Sequence, residues 1–146
     1  IGKNWKKHFR RAKLSRPIMN QRNTFFIGII FGGLAVALGA FGAHALEAML
    51  SQRGRTDTWD LAVQYQIIHA LVLLFNGIML KVGNRWFSIA SAFFTTGVLC
   101  FSGSLYALCL TDIIFPIVLI TPLGGVLLIA GWAALLVGVI KSYNIQ

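Results

Sequence analysis

Charge is scarce in this sequence: Asp, Glu, Lys and Arg make up 12% of 146 residues, against 57% apolar residues. A water-soluble domain of this length needs a charged shell, and too few charges are present to build one. Proline is scarce too, at three residues, while glycine reaches 15. That balance disfavours a loop-rich secreted fold and suits close-packed membrane helices. The only cysteines are Cys100 and Cys109. On one helix they face opposite sides, about 13 Å apart along the axis. They therefore cannot bond to each other and read as small packing residues. HExxH, CxxC and comparable ligand spacings are missing, and no repeat or low-complexity tract is evident.

The net charge of +9 belongs to one place. Eight of the 13 basic residues fall within the first 22 positions, which argues against nucleic acid as a partner. Residues 1–22 read as a basic tail that orients the chain near anionic headgroups. The stretch before Met19, acid-free and beginning without methionine, is alternatively a remnant of processed or targeting sequence.

Residues 23–146 read as one transmembrane domain. A hydrocarbon core takes roughly 20 apolar residues of helix to cross, and four runs are long enough: about 24–45, 61–82, 87–110 and 116–140. Each is about twice the length of a barrel strand and lacks strict alternation, so the predicted fold is all-α, a four-transmembrane-helix bundle. Lys81, Arg85 and Lys141 fall on the same side as the basic tail, and only Arg53 and Arg55 lie opposite. The positive-inside rule then places both termini on the cytoplasmic or, in an organelle, the matrix side. Trp59 and Trp86 sit at span boundaries, where amphipathic rings are expected at the interface.

Helices in lipid gain little hydrophobic energy from meeting, so small residues and hydrogen bonds must join them. Span one offers Gly28 and Gly32, then Ala35, Gly39 and Ala43, each group at four-residue intervals. Span three has a ladder, Ser88, Ala92, Thr96, Cys100 and Ser104, and span four has Gly124, Gly131 and Gly138 seven apart. Ser102, Ser104 and Tyr106 have no activating base at a catalytic spacing and read as helix-to-helix hydrogen bonders. Pro122 with Gly124 and Gly125 permits a kink in span four.

The polar residues at membrane depth are the candidates for chemistry. His44 and Glu47 share a face if the first helix continues past Ala45. Tyr65, Gln66, His69 and Asn76 fall on one side of span two, with Gln64 nearby. These two helices are therefore expected to present a polar strip to each other. Two histidines and a carboxylate are a ligand set for zinc or iron, but no ligand spacing supports a metal site. Haem held by both histidines is disfavoured by their difference in depth. The strip is expected to be a structural network, with a proton or solute path as the competing reading.

Four motifs then occur in order: LGAFGAHALE (Leu38–Glu47), Trp59 with AVQYQIIHAL (Ala62–Leu71), FSGSLYALCLT (Phe101–Thr111), and TPLGG with Gly131 and Trp132. This pattern resembles the small inner-membrane proteins of the YgdD/YwdK type, domain-of-unknown-function family 423, related to the mitochondrial transmembrane protein 256 group. Residues 1–18 and Asp112 depart from it. The resemblance implies a four-helix membrane protein of the bacterial inner membrane, or alternatively the mitochondrial one, and carries over no reaction.

The function expected is a non-enzymatic accessory or structural component of a membrane protein complex, without cofactor or metal, its partners being the bilayer and other membrane proteins or itself. The alternative is a small oligomeric carrier or channel for protons, ions or a solute. The topology has a direct check. A fluorescent protein fused after Gln146 should mature and glow, whereas an alkaline phosphatase fused there should stay inactive; the reverse pattern would invert the orientation.

Overall fold

The computed structural model describes residues 17–112 and 115–143. Residues 1–16, which hold most of the basic tail and its expected contact with headgroups, lie outside the described residues. Five α-helices occur in order: α1 (Gln21–Ala43), α2 (Glu47–Gln52), α3 (Thr56–Met79), α4 (Arg85–Leu110) and α5 (Ile117–Tyr143). Among the described residues there is no strand. Four helices of 23 to 27 residues are long and apolar enough to span a membrane. Their outward faces are Phe, Ile, Leu and Val, including Phe26, Ile29, Leu71, Leu99 and Ile129. Apolar residues all round are what a helix between protein and lipid requires.

Local chemistry sets several helix ends. The Asn20 side chain accepts a 2.8 Å bond from the Asn23 N–H and caps α1. At the other end α1 stops at Ala43, and the Leu46 N–H reaches back 2.9 Å to the Phe41 carbonyl. Leu46, Met49 and Leu50 then fold over Trp59 and Cys109, closing that end of the bundle with the short helix α2. A single 3-10 turn, Leu80–Val82, ends α3. Gly83 follows with φ of 78°, a left-handed conformation that glycine adopts without steric cost, and Asn84 caps α4.

The spanning helices form a row in sequence order, with α1 on α3, α3 on α4, and α4 on α5. The most extensive contact joins α4 to α5, and no comparable contact joins α1 to α5. One apolar cluster runs through the row, from Phe31 of α1 through Leu73, Phe87 and Phe94 to Leu128 and Leu135 of α5.

Glycine sets how closely the end pairs approach. A Cβ on Gly131 would lie 2.7 Å from the Phe94 ring, and one on Gly138 would lie 2.8 Å from the Phe87 ring. Gly124 is tighter still, because its neighbour is backbone: a Cβ there would meet the Phe101 Cα at 2.8 Å. Between α1 and α3, Gly28 receives Leu74, Gly42 receives the Trp59 indole, and Gly77 receives Phe25. Gly32 and Gly39 meet α3 at ordinary contact distance, through Ala70 and Val63.

Two expectations about helix faces need correction. The four-residue ladder of span three does not form one seam: Ser88 and Ser104 are buried, Ala92 and Cys100 are half-buried, and Thr96 faces outward. Four residues advance about 400°, so such a ladder drifts about 40° per step around the helix. The buried face instead follows Phe87, Ser91, Phe94, Val98, Ser102, Leu105 and Cys109, mixing steps of three and four. Trp59 is also not an interfacial ring, being only 2% exposed and donating through Nε1 to the Leu38 carbonyl at 2.9 Å. Across Pro122, α5 remains one helix.

These contacts predict a contrast between two glycines. Gly124→Leu must displace helix backbone and is expected to cost about 3 kcal/mol. Gly33→Leu, at a position where a Cβ meets nothing within 4 Å, should leave stability unchanged or raise it by up to about 1 kcal/mol. Unfolding of the purified protein in rising mole fractions of dodecyl sulfate measures both. Equal losses would show that close helix approach does not govern stability here.

Candidate functional site

The face of α3 carrying Gln66, His69 and Asn76 is the polar centre of the row, and all three side chains are buried. Gln66 lies between α1 and α4: its Nε2 donates to the Phe31 carbonyl at 2.9 Å, and its Oε1 accepts from the Tyr106 hydroxyl at 3.0 Å. Asn76 Nδ2 donates to the Phe87 carbonyl at 2.7 Å and to Ser91 Oγ at 2.8 Å. Thr24 of α1 donates to the same Ser91 Oγ at 3.2 Å. These two layers each tie α1, α3 and α4 together.

His69 turns the other way. Its Nδ1 lies 2.8 Å from the Tyr65 carbonyl, and its Nε2 lies 3.4 Å from the Trp132 Nε1 of α5. A carbonyl can only accept, so Nδ1 carries the proton and Nε2 is the acceptor, which suits the donor-only indole. The imidazole is enclosed by rings, with Tyr65, Phe94 and Trp132 at centroid distances of 5.9, 5.7 and 6.3 Å.

The candidate residues are therefore not brought together as one strip between α1 and α3. Because α1 ends at Ala43, the expected face shared by His44 and Glu47 does not form, and both side chains are exposed at the end of the bundle. His69 lies ten residues beyond Trp59 along α3, about 15 Å deeper. Among the described residues no three His, Cys, Asp or Glu side chains gather as a metal site. Nearby, Arg53 and Asp112 pair at 3.2 Å, an exposed contact of small energetic weight.

Of the serines, Ser104 Oγ donates to the Phe101 carbonyl at 2.9 Å and lies 2.6 Å from the Thr121 hydroxyl of α5. Ser102 Oγ is buried without a partner among the described residues. Sequence spacing missed Trp132, Phe94 and Phe101 as neighbours of His69. The Gly131–Trp132 pair was the available signal, since the glycine admits Phe94 and thereby brings the indole level with the imidazole.

Comparison with known proteins adds the lineage. The family described as "Protein of unknown function (DUF423)" matches residues 38–125. The chain belongs to the DUF423 family. It is 38% identical to the UPF0382 inner membrane protein YgdD of Escherichia coli over 128 residues, covering 84% of this chain and 93% of that relative. It is 42% identical over 118 residues to a UPF0382 membrane protein of Staphylococcus saprophyticus, covering 79% and 94% of the two chains. No solved structure matches. This DUF423 chain is accordingly a four-helix protein of the bacterial inner-membrane type, and the matched segment includes Gln66, His69 and Asn76.

The hydrogen-bonded layers can be tested by coupling. A double-mutant cycle of Asn76→Ala and Ser91→Ala should give an interaction energy of about 0.6 kcal/mol, and not above about 1.7 kcal/mol. Gln64→Leu, on the exposed side of α3, should leave stability within about 0.5 kcal/mol of the parent. Additive losses from Asn76 and Ser91 would remove the layer as a source of stability.

Proposed function

We infer that this DUF423 protein is a non-enzymatic component of the membrane that associates laterally with another membrane protein. The observation that carries this reading is the uncovered side of α1. That helix packs chiefly on α3, and its outward surface includes Gly33 and Ala37, four residues apart, with open space where a Gly33 side chain would project. Small residues at this interval let a second transmembrane helix approach to backbone contact.

The rest of the chain agrees with such a role. Its interhelix polar groups are used in packing, and the connecting segments are short, with α2 folded onto the bundle as a cover. The Ser104 hydroxyl bonds to a backbone carbonyl and to the Thr121 hydroxyl, an arrangement without an activating base. The carrier reading needed His44, Glu47 and His69 along one path, and the fold separates the first two from the third.

The experiment is native electrophoresis of gently solubilised membranes, with mass spectrometry of what travels with the chain. The expected result is a stoichiometric assembly with a different membrane protein, lost in Gly33→Leu while the purified variant remains as stable as the parent. A chain that migrates alone, or only with copies of itself, would overturn the reading.

A further inference from the structure

The row of helices leaves a lipid-facing cleft of about 490 Å³ between α3 and α5, floored by α4. Its walls include Gln64, Tyr65, His69, Phe101, Gly125 and Trp132. His69 lies ten residues from Trp59 at one end of the span and twelve from Lys81 at the other, about 15 and 18 Å of helix rise. The cleft therefore opens near the midplane of the bilayer, where polar side chains facing hydrocarbon are costly unless something meets them. The Gln64 amide and the Tyr65 hydroxyl make no hydrogen bond to any described residue, although other polar groups of α3 do. The His69–Trp132 contact is long at 3.4 Å, and Trp132 is half-exposed.

We propose that this cleft binds the ring of a membrane-dissolved, quinone-type isoprenoid, holding its ring oxygens with His69, Tyr65 and Gln64. Depth excludes the commoner lipids, because charged headgroups stay in the interface about 15 Å away. A neutral ring bearing two oxygens is polar enough to use these groups and apolar enough to reach them. The functional groups match in kind. In the reduced ring a hydroxyl donates to His69 Nε2, in the oxidised ring the Tyr65 hydroxyl donates to a carbonyl, and the Gln64 amide serves either form. Among the described residues no charged side chain lines the cleft. Tyr65 and Phe101, with centroids 4.5 Å apart, and the Trp132 indole supply flat walls for the ring. Gly125 adds no side chain to the α5 wall of the cleft. The opening toward lipid lets an isoprenoid tail leave sideways. The site is separate from the α1 face and does not depend on the lateral association inferred above.

Decylubiquinone titrated into nanodiscs holding the purified full chain tests the proposal, with tryptophan fluorescence as the readout, because quinones quench nearby indoles and Trp132 lines the site. Quenching should saturate with quinone mole fraction, and Trp132→Phe should remove the saturable component. His69→Leu should weaken competition by the reduced form, decylubiquinol, about tenfold, the equivalent of one lost hydrogen bond, because only a ring hydroxyl can donate to Nε2. Tyr65→Phe, which keeps the ring and loses only the hydroxyl, should raise the half-saturating fraction of decylubiquinone severalfold, so the test survives a folding defect in His69→Leu. Decylbenzene, with the same tail and a ring without oxygens, should not compete. Quenching that rises linearly without saturation would overturn the proposal. So would half-saturation unchanged in Tyr65→Phe together with decylubiquinol competition unchanged in His69→Leu, or equal competition by decylbenzene, which would mean an apolar groove only.

Discussion

Side chains seated in glycine notches hold the end pairs of helices at a separation that no other residue would allow. Phe94 and Phe87 of α4 occupy the space over Gly131 and Gly138 of α5, while Leu128 of α5 occupies the space over Gly97 of α4. The exchange runs in both directions, so the surfaces are complementary in shape. In lipid this matters more than in water, because apolar side chains gain little by leaving hydrocarbon for protein and packing must supply the attraction. The same device recurs between α1 and α3, where Leu74, Trp59 and Phe25 enter the spaces over Gly28, Gly42 and Gly77.

The central pair, α3 with α4, is joined differently. Asn76 with Ser91 and the Phe87 carbonyl, and Gln66 with Tyr106, make hydrogen bonds in the middle of the row. These two layers also reach α1 through Thr24 and the Phe31 carbonyl. Individual bonds of this kind contribute modestly in membranes. Their greater effect is on register: a buried amide that loses its partners is costly, so the layers favour one alignment of three helices. His69 stands apart because its partners belong to α5 and to its own helix, and because its ring borders the one side of α3 that the row leaves open.

A row rather than a closed ring follows from where the small residues lie. Each end helix has a glycine-bearing face toward one neighbour only, and the opposite faces are Phe, Ile, Leu and Val with isolated small residues such as Gly33. Among the described residues nothing draws α1 and α5 together across the gap, and two surfaces stay uncovered within the chain. One is the outer face of α1, where Gly33 and Ala37 leave space among larger side chains. The other is the cleft beside His69, where polar groups meet flat aromatic walls at mid-membrane.

Much of this was legible from residue order alone. Four spans, their helical nature and their approximate limits follow from runs of apolar residues measured against the thickness of a bilayer, a constraint that ignores tertiary context. The importance of Gly28, Gly124, Gly131 and Gly138 was visible for the same reason, since small residues in spans have few uses beyond close approach. Which side of α3 each polar residue serves was not legible. Gln66, His69 and Asn76 share a face by spacing, yet a face about 100° wide touches three different helices, and only the packing assigns Gln66 and Asn76 to α1 and α4 and His69 to α5. The end of α1 at Ala43 carries no proline and no left-handed glycine cap, Gly42 lying within the last helical turn. It depends on Leu46 and Leu50 folding back onto Trp59, a contact with residues on the next helix. Sequence by itself determined how many times the chain crosses the membrane, because that depends on one-dimensional hydrophobicity. The polar site was decided by tertiary structure, because hydrogen-bond partners are chosen by the three-dimensional neighbours that glycine packing brings within reach.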